Sequence, residues 1–308
     1  MEKFYSYFKD MGKKLSGFFR FFYNLAGYIN YILATLLAWT TPYPVSYFIG
    51  VNLARLWYLS GANTKIVKRN ISRVLNIEAD DPRVSHICKK IYIEFAKNVV
   101  DFLKNRIIPR RQFNKNINIE GLEHLDKALG SGHGAVIFTA HIGNFEWGAA
   151  RIGTAGKKIW GVGLHRGNPP LDNYFERNRE NKCLKTLYAN KMLHVFKILK
   201  NNEVVAIPTD WDPFKNSREF DFFGHKAFIP SGSVQIALAT KAPLLPSFIV
   251  RDGKYHHHQI ILPPLELETE GEKEEIIEKN MLKVITILED QIKRNIEQWV
   301  LFHDIWAD

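Results

Sequence analysis

Apolar residues occur along the chain in two alternating patterns. Short apolar runs predict buried strands at residues 134–138, 159–164, 204–207 and 244–250. Stretches with helical spacing separate these runs, at residues 171–181, 192–201 and 231–241. Strands that alternate with helices are typical of an α/β fold, so we expect a largely parallel or mixed sheet flanked by helices.

Further elements extend this core toward both ends. Residues 81–105 carry apolar side chains at helical spacing behind a proline at a plausible first turn. Short strands are predicted at residues 117–119 and 255–262, and a long amphipathic helix at residues 272–299. Because no linker or internal repeat interrupts this pattern, we expect one globular domain at residues 61–308.

The N-terminal segment, residues 1–60, has a different pattern. Residues 18–39 contain one charge, Arg20, and residues 22–39 approach the roughly 20 apolar residues that a bilayer core requires. Prolines then interrupt the segment, and residues 45–59 are again apolar. We expect a helical membrane anchor, and three forms stay open: a spanning helix, an interfacial or re-entrant anchor, and a buried helical hairpin.

The basic residues before this apolar run predict its orientation. Lys3, Lys13, Lys14 and Arg20 precede it, which favours a globular domain on the cytoplasmic side of the membrane. We expect no cleavable signal peptide, because the apolar run begins late and no small-residue cleavage site follows.

Composition limits the classes of partner. The formal charge of +10 suits phosphates, an anionic membrane surface or an acidic protein. The sequence contains neither zinc-finger spacing nor a basic zipper, so no motif points to nucleic acid as a partner. Cys88 and Cys183 are isolated and indicate neither a metal site nor a redox site.

One short motif carries candidate chemistry. His141 ends the strand at residues 134–138, Asn144 occupies a helix N-cap position, and Glu146 lies in the first helical turn. A bend at residues 143–144 would bring the carboxylate to the imidazole, and a histidine held by a carboxylate can act as a general base. The alternative is structural, since a first-turn glutamate also favours the helix dipole.

Two other polar groups have a weaker claim to chemistry. Asp210 and Asp212 follow the strand at residues 204–207, at the edge of the sheet where active sites gather, although loop carboxylates also cap backbone amides. The histidines at residues 256–258 suggest zinc. Adjacent strand residues point to opposite faces and zinc needs three or four convergent ligands, so we predict no metal and a surface-facing strand.

Several segments together resemble the bacterial lipid A late acyltransferases of the lysophospholipid acyltransferase superfamily. The resemblance covers roughly residues 115–305 and rests on residues 119–123, 134–147, 166–172, 177–179, 202–205, 210–212, 222–224, 230–232, 242–246, 298–299 and 303. It implies a glycerolipid acyltransferase-like fold at the inner (cytoplasmic) membrane. It also implies acyl transfer from acyl carrier protein or coenzyme A to a hydroxyl of a membrane glycolipid such as a lipid A precursor, with no cofactor.

The same resemblance implies roles for individual residues. His141 would be the general base, and Glu146 would stabilise its imidazolium form. Asp210 would orient Arg179 or the site loop, and Arg179 would bind the oxyanion or a phosphate. Residues implied in supporting or substrate-binding roles are Arg179, Asp210, Arg166, Arg177 and Asn144.

Departures from the family pattern and rival functions stay open. Thr209, Trp211 and Phe214 differ from the residues common in relatives and border the expected site. The same chemistry on another acceptor, such as a phosphatidylinositol mannoside, is one alternative. A zinc hydrolase and a non-catalytic membrane-associated protein of the same fold are the others.

Overall fold

A computed structural model of the protein describes residues 17–215 and 217–307, with side chains described from residue 23 onward. It confirms an α/β fold with a mostly parallel sheet. The strands are β1 (Ile117–Glu120), β2 (Ala135–Thr139), β3 (Ile159–Gly163), β4 (Leu184–Tyr188), β5 (Val204–Pro208), β6 (Glu219–Phe222), β7 (His225–Phe228), β8 (Leu244–Arg251) and β9 (His257–Ile261).

The main sheet has seven strands in the order β1-β9-β8-β2-β5-β3-β4. Strands β8, β2, β5, β3 and β4 run parallel to one another. The short connection after β8 turns the chain back, so β9 is antiparallel to β8, and β1 pairs in parallel with β9. The sheet is therefore mixed, and its parallel part holds the predicted strand ends.

The helices flank this sheet and connect its strands. They are α1 (Gly17–Thr40), α2 (Tyr43–Leu59), α3 (Thr64–Leu75), α4 (Pro82–Lys104), α5 (Arg110–Asn116), α6 (Leu122–Leu129), α7 (Phe145–Thr154), α8 (Pro169–Glu180), α9 (His194–Lys200), α10 (Gly232–Thr240) and α11 (Lys273–Arg294).

The central strands are apolar throughout because both of their faces are buried. Val136 and Phe138 of β2 pack in the larger core cluster, while Ala135 and Ile137 pack in a second cluster on the opposite face. A parallel strand covered on both faces has no solvent-facing position, which accounts for the unbroken apolar run.

The predicted elements match the structure except at the sheet edge and near the C-terminus. Strand β4, the β6–β7 hairpin and helices α3, α5 and α6 were not predicted. Strand β4 lies at an edge and carries Lys185 and Thr186 among its apolar residues. The helix expected at residues 272–299 ends at Arg294, and the chain leaves it before Trp299.

Of the three forms left open for the N-terminal anchor, the spanning helix has no support in the structure. No helix among residues 17–215 and 217–307 is both long and apolar enough to cross a bilayer. Helix α1 is fastened to the rest of the protein by polar contacts: Trp39 Nε1 donates to Leu103 O at 2.8 Å, and the Thr35 and Tyr174 hydroxyls lie 2.7 Å apart.

The remaining N-terminal predictions are untested. Helix α2 ends at Leu59, one residue before the predicted domain limit, but the division into two domains stays a prediction. Lys3, Lys13 and Lys14, on which the predicted orientation depends, lie outside the described residues.

Candidate active site

The register of two neighbouring strands creates the site. Thr139 at the end of β2 is paired with Pro208 at the end of β5, and Thr209 N donates to Thr139 O at 2.8 Å. His141 and Asp210 each lie two residues beyond this pair. Both predicted strand-end residues therefore meet at the carboxyl edge of the sheet, where the chemistry of such folds gathers.

Asp210 accepts hydrogen bonds from three donors. His141 Nδ1 lies 2.8 Å from Oδ1, while the His141 backbone N and Trp299 Nε1 lie 2.9 and 2.8 Å from Oδ2. An ionised carboxylate can only accept, so the proton of a neutral His141 sits on Nδ1 and Nε2 carries the free lone pair. This is the tautomer that a general base requires.

The electrostatics of this pair favour the charged forms. Burial lowers the pKa of His141, but the charge and hydrogen bond of Asp210 and the charge of Glu146 raise it, and the net shift is upward. Burial raises the pKa of Asp210, yet the hydrogen bonds and charge of His141 and the Trp299 bond bring it below its ordinary value. His141 is therefore a stronger base than a free imidazole.

The structure corrects the predicted partner of Glu146. Arg179 Nε donates to Glu146 Oε2 at 2.9 Å, and Arg179 Nη2 donates to Oε1. Thr186 Oγ1 accepts from Arg179 Nη1 at 3.1 Å. The first turn of α7 faces the β3–β4 side of the site, where α8 delivers Arg179. Asp210 is therefore the hydrogen-bonded carboxylate of His141, and the prediction of a His141–Glu146 pair is wrong in that respect.

Asp210 and Arg179 are likewise not paired with each other. Of the two roles expected for Asp210, the structure supports orientation of the site loop, through the His141 backbone N. Burial lowers the pKa of Arg179, but the adjacent Glu146 charge raises it overall, so Arg179 stays charged. Its predicted role with an oxyanion or phosphate stays a prediction.

The other predicted supporting residues have distinct locations. Asn144 is buried and caps α7, as predicted, because its Oδ1 accepts from Trp147 N at 3.2 Å. Arg166 bonds to Asp172 and lies 3.5 Å above the Phe175 ring. Arg177 is exposed on α8, on a different side of that helix from the largely buried Arg179.

Aromatic rings form one wall beside the base. Phe145 and Trp211 have ring centroids 4.9 and 6.2 Å from that of His141. Trp211 stacks on His303 at 3.8 Å with the rings nearly parallel. Burial, assisted by the charge of His141, lowers the pKa of His303 to about 4, so His303 is neutral near pH 7.

Sequence reasoning missed the role of Trp299 and of the segment that carries it, residues 298–300, here called the C-terminal strap. Val300 N donates to His141 O at 2.8 Å, and Gly143 N donates to Gln298 O at 2.9 Å. These contacts hold the C-terminal segment along the turn after β2. Gln298 and Trp299 were noticed only as part of a family signature, since nothing local to them indicates a distant carboxylate.

The histidines of β9 do not converge. His257 is buried beside the Trp147 ring, and burial lowers its pKa to about 2, whereas His258 faces Glu120. The prediction of a surface-facing strand is therefore wrong for His257, which is buried. Within the part of the chain that the structure describes, no three His, Cys, Asp or Glu residues are grouped so as to hold a metal ion.

Comparison with known proteins gives one family and two curated relatives. A model of the bacterial lipid A biosynthesis acyltransferase family matches residues 20–308. A phosphatidylinositol mannoside acyltransferase of Mycobacterium tuberculosis (strain ATCC 25618 / H37Rv) is 27% identical over 199 residues, 61% of each chain. A protein of the same name from strain CDC 1551 / Oshkosh is 32% identical over 145 residues, 44% of this chain and 45% of its own. The matches thus span about half to three fifths of these relatives.

Among solved structures, the 1-acyl-sn-glycerophosphate (LPA) acyltransferase PlsC of Thermotoga maritima resembles the chain. The superposition covers 80% of this chain and 98% of that one, with a TM-score of 0.38 and 14% sequence identity. At that score the two structures are too different for residues of the sites to be equated.

The Glu146–Arg179 pair generates a prediction about stability. Arg179 is 10% exposed and Glu146 21%, so Glu146→Gln leaves a largely desolvated guanidinium without its counter-charge. We expect the free energy of unfolding in urea to fall by about 2 kcal/mol for Glu146→Gln or Arg179→Gln. The double variant should lose clearly less than the sum of the two.

The half-exposed pair of Lys90 and Glu297 is the matched control for that cycle. Substituting Lys90→Gln should cost no more than about 0.5 kcal/mol, as is usual for surface ion pairs. Additive losses for Glu146→Gln and Arg179→Gln would contradict a coupled pair.

Proposed function

Because the chain belongs to the bacterial lipid A biosynthesis acyltransferase family, we propose that it transfers a fatty acyl chain from an acyl thioester to a hydroxyl group of a membrane glycolipid. The observation that carries the proposal is the hydrogen bond from His141 Nδ1 to the buried Asp210, which leaves Nε2 as the base. No cofactor enters this reaction.

The proposed step needs only the base and the two substrates. His141 Nε2 takes the proton of the acceptor hydroxyl while its oxygen attacks the thioester carbonyl carbon. The tetrahedral intermediate then collapses with cleavage of the C–S bond, and the imidazolium gives its proton to the departing thiolate. An ester and a free thiol result, with no covalent acyl-enzyme.

The charges around His141 suit this sequence. Asp210 and Glu146 both raise the pKa of His141 and so stabilise the imidazolium that forms when the acceptor proton leaves. We assign to Arg179 the anionic group of a substrate, the oxyanion or a phosphate. Three of its N–H groups already donate to Glu146 and Thr186, and two of the five that a guanidinium carries are left for that contact.

We place the acceptor against the aromatic wall. Trp211 stacked on the neutral His303 offers a flat aromatic surface beside the base, which suits a sugar ring. A lipid A precursor is the acceptor that the family suggests. A phosphatidylinositol mannoside is the second candidate, favoured by the names of the two curated relatives. The donor is acyl carrier protein or coenzyme A.

We further propose that α1 and α2 lie on the membrane surface. Each exposes large apolar side chains at helical spacing, Leu25, Ile29 and Leu33 on α1 and Val45, Phe48, Leu56 and Leu59 on α2. Such outward apolar faces on helices too short or too polar to span a bilayer are typical of interfacial anchors. Because acyl carrier protein and coenzyme A thioesters are cytoplasmic, we propose that the catalytic domain lies on the cytoplasmic side of the inner membrane.

The first test removes the base. Acyl transfer should be followed by mass spectrometry of lipid products, with palmitoyl-coenzyme A and palmitoyl-acyl carrier protein as donors and a lipid A precursor and a phosphatidylinositol mannoside as acceptors. We expect His141→Ala to lose about 10²–10⁴-fold in turnover, the usual size of general-base assistance. His133→Ala, at an exposed histidine before β2, is the control. Transfer by His141→Ala at the control's rate would refute the proposal.

The pH dependence of the rate follows from the direction of the His141 pKa. Only neutral His141 can accept a proton, so kcat/KM should fall as pH drops through the His141 pKa, at a midpoint above the ordinary value of about 6.5. In Asp210→Asn the midpoint should move to lower pH, because the carboxylate charge that raises the His141 pKa is lost. The value that kcat/KM reaches at high pH should also drop by roughly 10²-fold or more. A midpoint that Asp210→Asn leaves in place would contradict the assigned pair.

Membrane attachment predicts a selective loss of vesicle binding. Phe48 and Leu56 are 70% and 64% exposed, so serine there should leave the fold intact. Because a large apolar side chain contributes about 1.5–3 kcal/mol when buried, the Phe48→Ser, Leu56→Ser double variant should bind anionic phospholipid vesicles at least about tenfold more weakly. Leu282→Ser, at an exposed leucine of α11, should bind as wild type. Equal sedimentation of all three proteins would exclude α2 as the contact.

A further inference from the structure

Arg251, at the end of β8, donates from all three nitrogens of its guanidinium into a buried polar network. Its side chain is 4% exposed. Nε donates to Glu94 at 2.9 Å, Nη1 to the Tyr47 hydroxyl at 2.9 Å, and Nη2 to Asn98 and Asp101 at 2.9 and 2.8 Å. Asp101 is fully buried, and its other carboxylate oxygen accepts from the Tyr47 hydroxyl at 2.7 Å.

Three of these acceptors form one polar stripe on α4. Glu94, Asn98 and Asp101 stand four and three residues apart, a spacing that places their side chains on the same side of a helix. The apolar side of the same helix buries Val84, Cys88, Ile91, Tyr92 and Val100. The stripe thus holds Arg251 at the side of α4 that faces the turn after β2.

The same stripe is hydrogen-bonded to the turn that begins at His141. Asn98 Nδ2 donates to Gly143 O at 2.7 Å, and Asn144 Nδ2 donates to Asp101 Oδ2 at 3.0 Å. Gly143 has a φ of +55°, and a Cβ there would overlap the Ile249 carbonyl of β8. The turn, residues 141–144, is therefore pressed against β8 on one side and hydrogen-bonded to α4 on the other.

The backbone of Arg251 reaches the turn by a second route. Arg251 N donates to Gln298 Oε1 at 2.8 Å, and Gln298 Nε2 donates back to Arg251 O at 3.0 Å. Gln298 O in turn accepts from Gly143 N at 2.9 Å. Both the N–H and the C=O of Gly143 thus end on groups that Arg251 contacts.

We propose that the Arg251–Asp101 ion pair is a positioning unit for the reaction, and that it sets the place of His141 by holding Gly143 and Asn144 through Asn98, Asp101 and Gln298. The inference rests on the proposed function. A buried ion pair is by itself a weak source of stability, because desolvation offsets its attraction. Misplacing a reacting group by about 1 Å, by contrast, can cost on the order of 10²-fold in rate.

The test separates position from stability. Asn98→Ala removes the bond to Gly143 O but leaves the Arg251–Asp101 pair intact, and Asp101→Asn removes the charge while keeping the shape. Tyr92→Phe is the matched control: it deletes a buried hydroxyl of the same helix, one that donates to Ala62 O. For each full-length protein, kcat and KM are measured with palmitoyl-coenzyme A and the acceptor found for wild type, per folded molecule, together with the unfolding temperature.

We expect Asn98→Ala and Asp101→Asn to lower kcat at least about tenfold with KM within about twofold, because the groups that bind substrate are untouched. Tyr92→Phe should keep kcat within about twofold of wild type, even where its unfolding temperature falls as far as that of Asn98→Ala or Asp101→Asn. Wild-type kcat in folded Asn98→Ala overturns the inference, and that variant decides if Asp101→Asn does not fold. Full activity of His141→Ala would instead refute the proposed function, which these variants do not address.

Discussion

The carboxylate of Asp210 is the constraint on which the site depends. It is completely buried, and a buried charge costs several kcal/mol unless hydrogen bonds satisfy it. Its three donors come from two places far apart in the sequence, His141 at the start of the turn after β2 and Trp299 near the C-terminus. The fold must therefore bring β2, β5 and the C-terminal strap together, and in doing so it fixes the tautomer of His141.

Most of the sheet, and the two residues that meet in it, could be predicted from local pattern. His141 and Asp210 each follow a short apolar run, so each was expected at a strand end. Their contact could not be predicted, because it depends on the register of β2 with β5, and 64 residues lie between the end of β2 and the start of β5. That register is set by packing over the whole core.

The partner of Glu146 could not be predicted from local spacing either. Spacing correctly placed Glu146 in the first turn after a bend, near His141. It could not show that α8 brings a guanidinium to the same place, where a bidentate charge-assisted bond outweighs a single bond to imidazole. The polar stripe of α4 was not predicted, because Glu94, Asn98 and Asp101 are three among many polar residues of an amphipathic helix. Its meaning required Arg251, which lies 150 residues from Asp101.

The N-terminal helices illustrate what apolar content leaves undecided. Residues 22–39 are apolar enough to suggest a span, yet α1 and α2 divide their apolar residues between an inner side, where Ala38, Tyr47 and Ala54 are buried, and an outer side that is exposed. Such a division is a property of position around the helix axis and of what packs there. The number of apolar residues in a segment does not show how they are divided between the inner and outer sides of the helix.

The assignment of Asp210, and not Glu146, as the partner of His141 can be tested directly by nitrogen NMR of the imidazole. Histidine-labelled full-length protein in detergent micelles is titrated for wild type, Asp210→Asn and Glu146→Gln, with the His141 signals identified by their loss in His141→Ala. The account predicts the Nδ1–H tautomer in wild type and in Glu146→Gln, and loss of that preference with a lower pKa in Asp210→Asn. Loss of the Nδ1–H tautomer in Glu146→Gln, with Asp210→Asn like wild type, would contradict it.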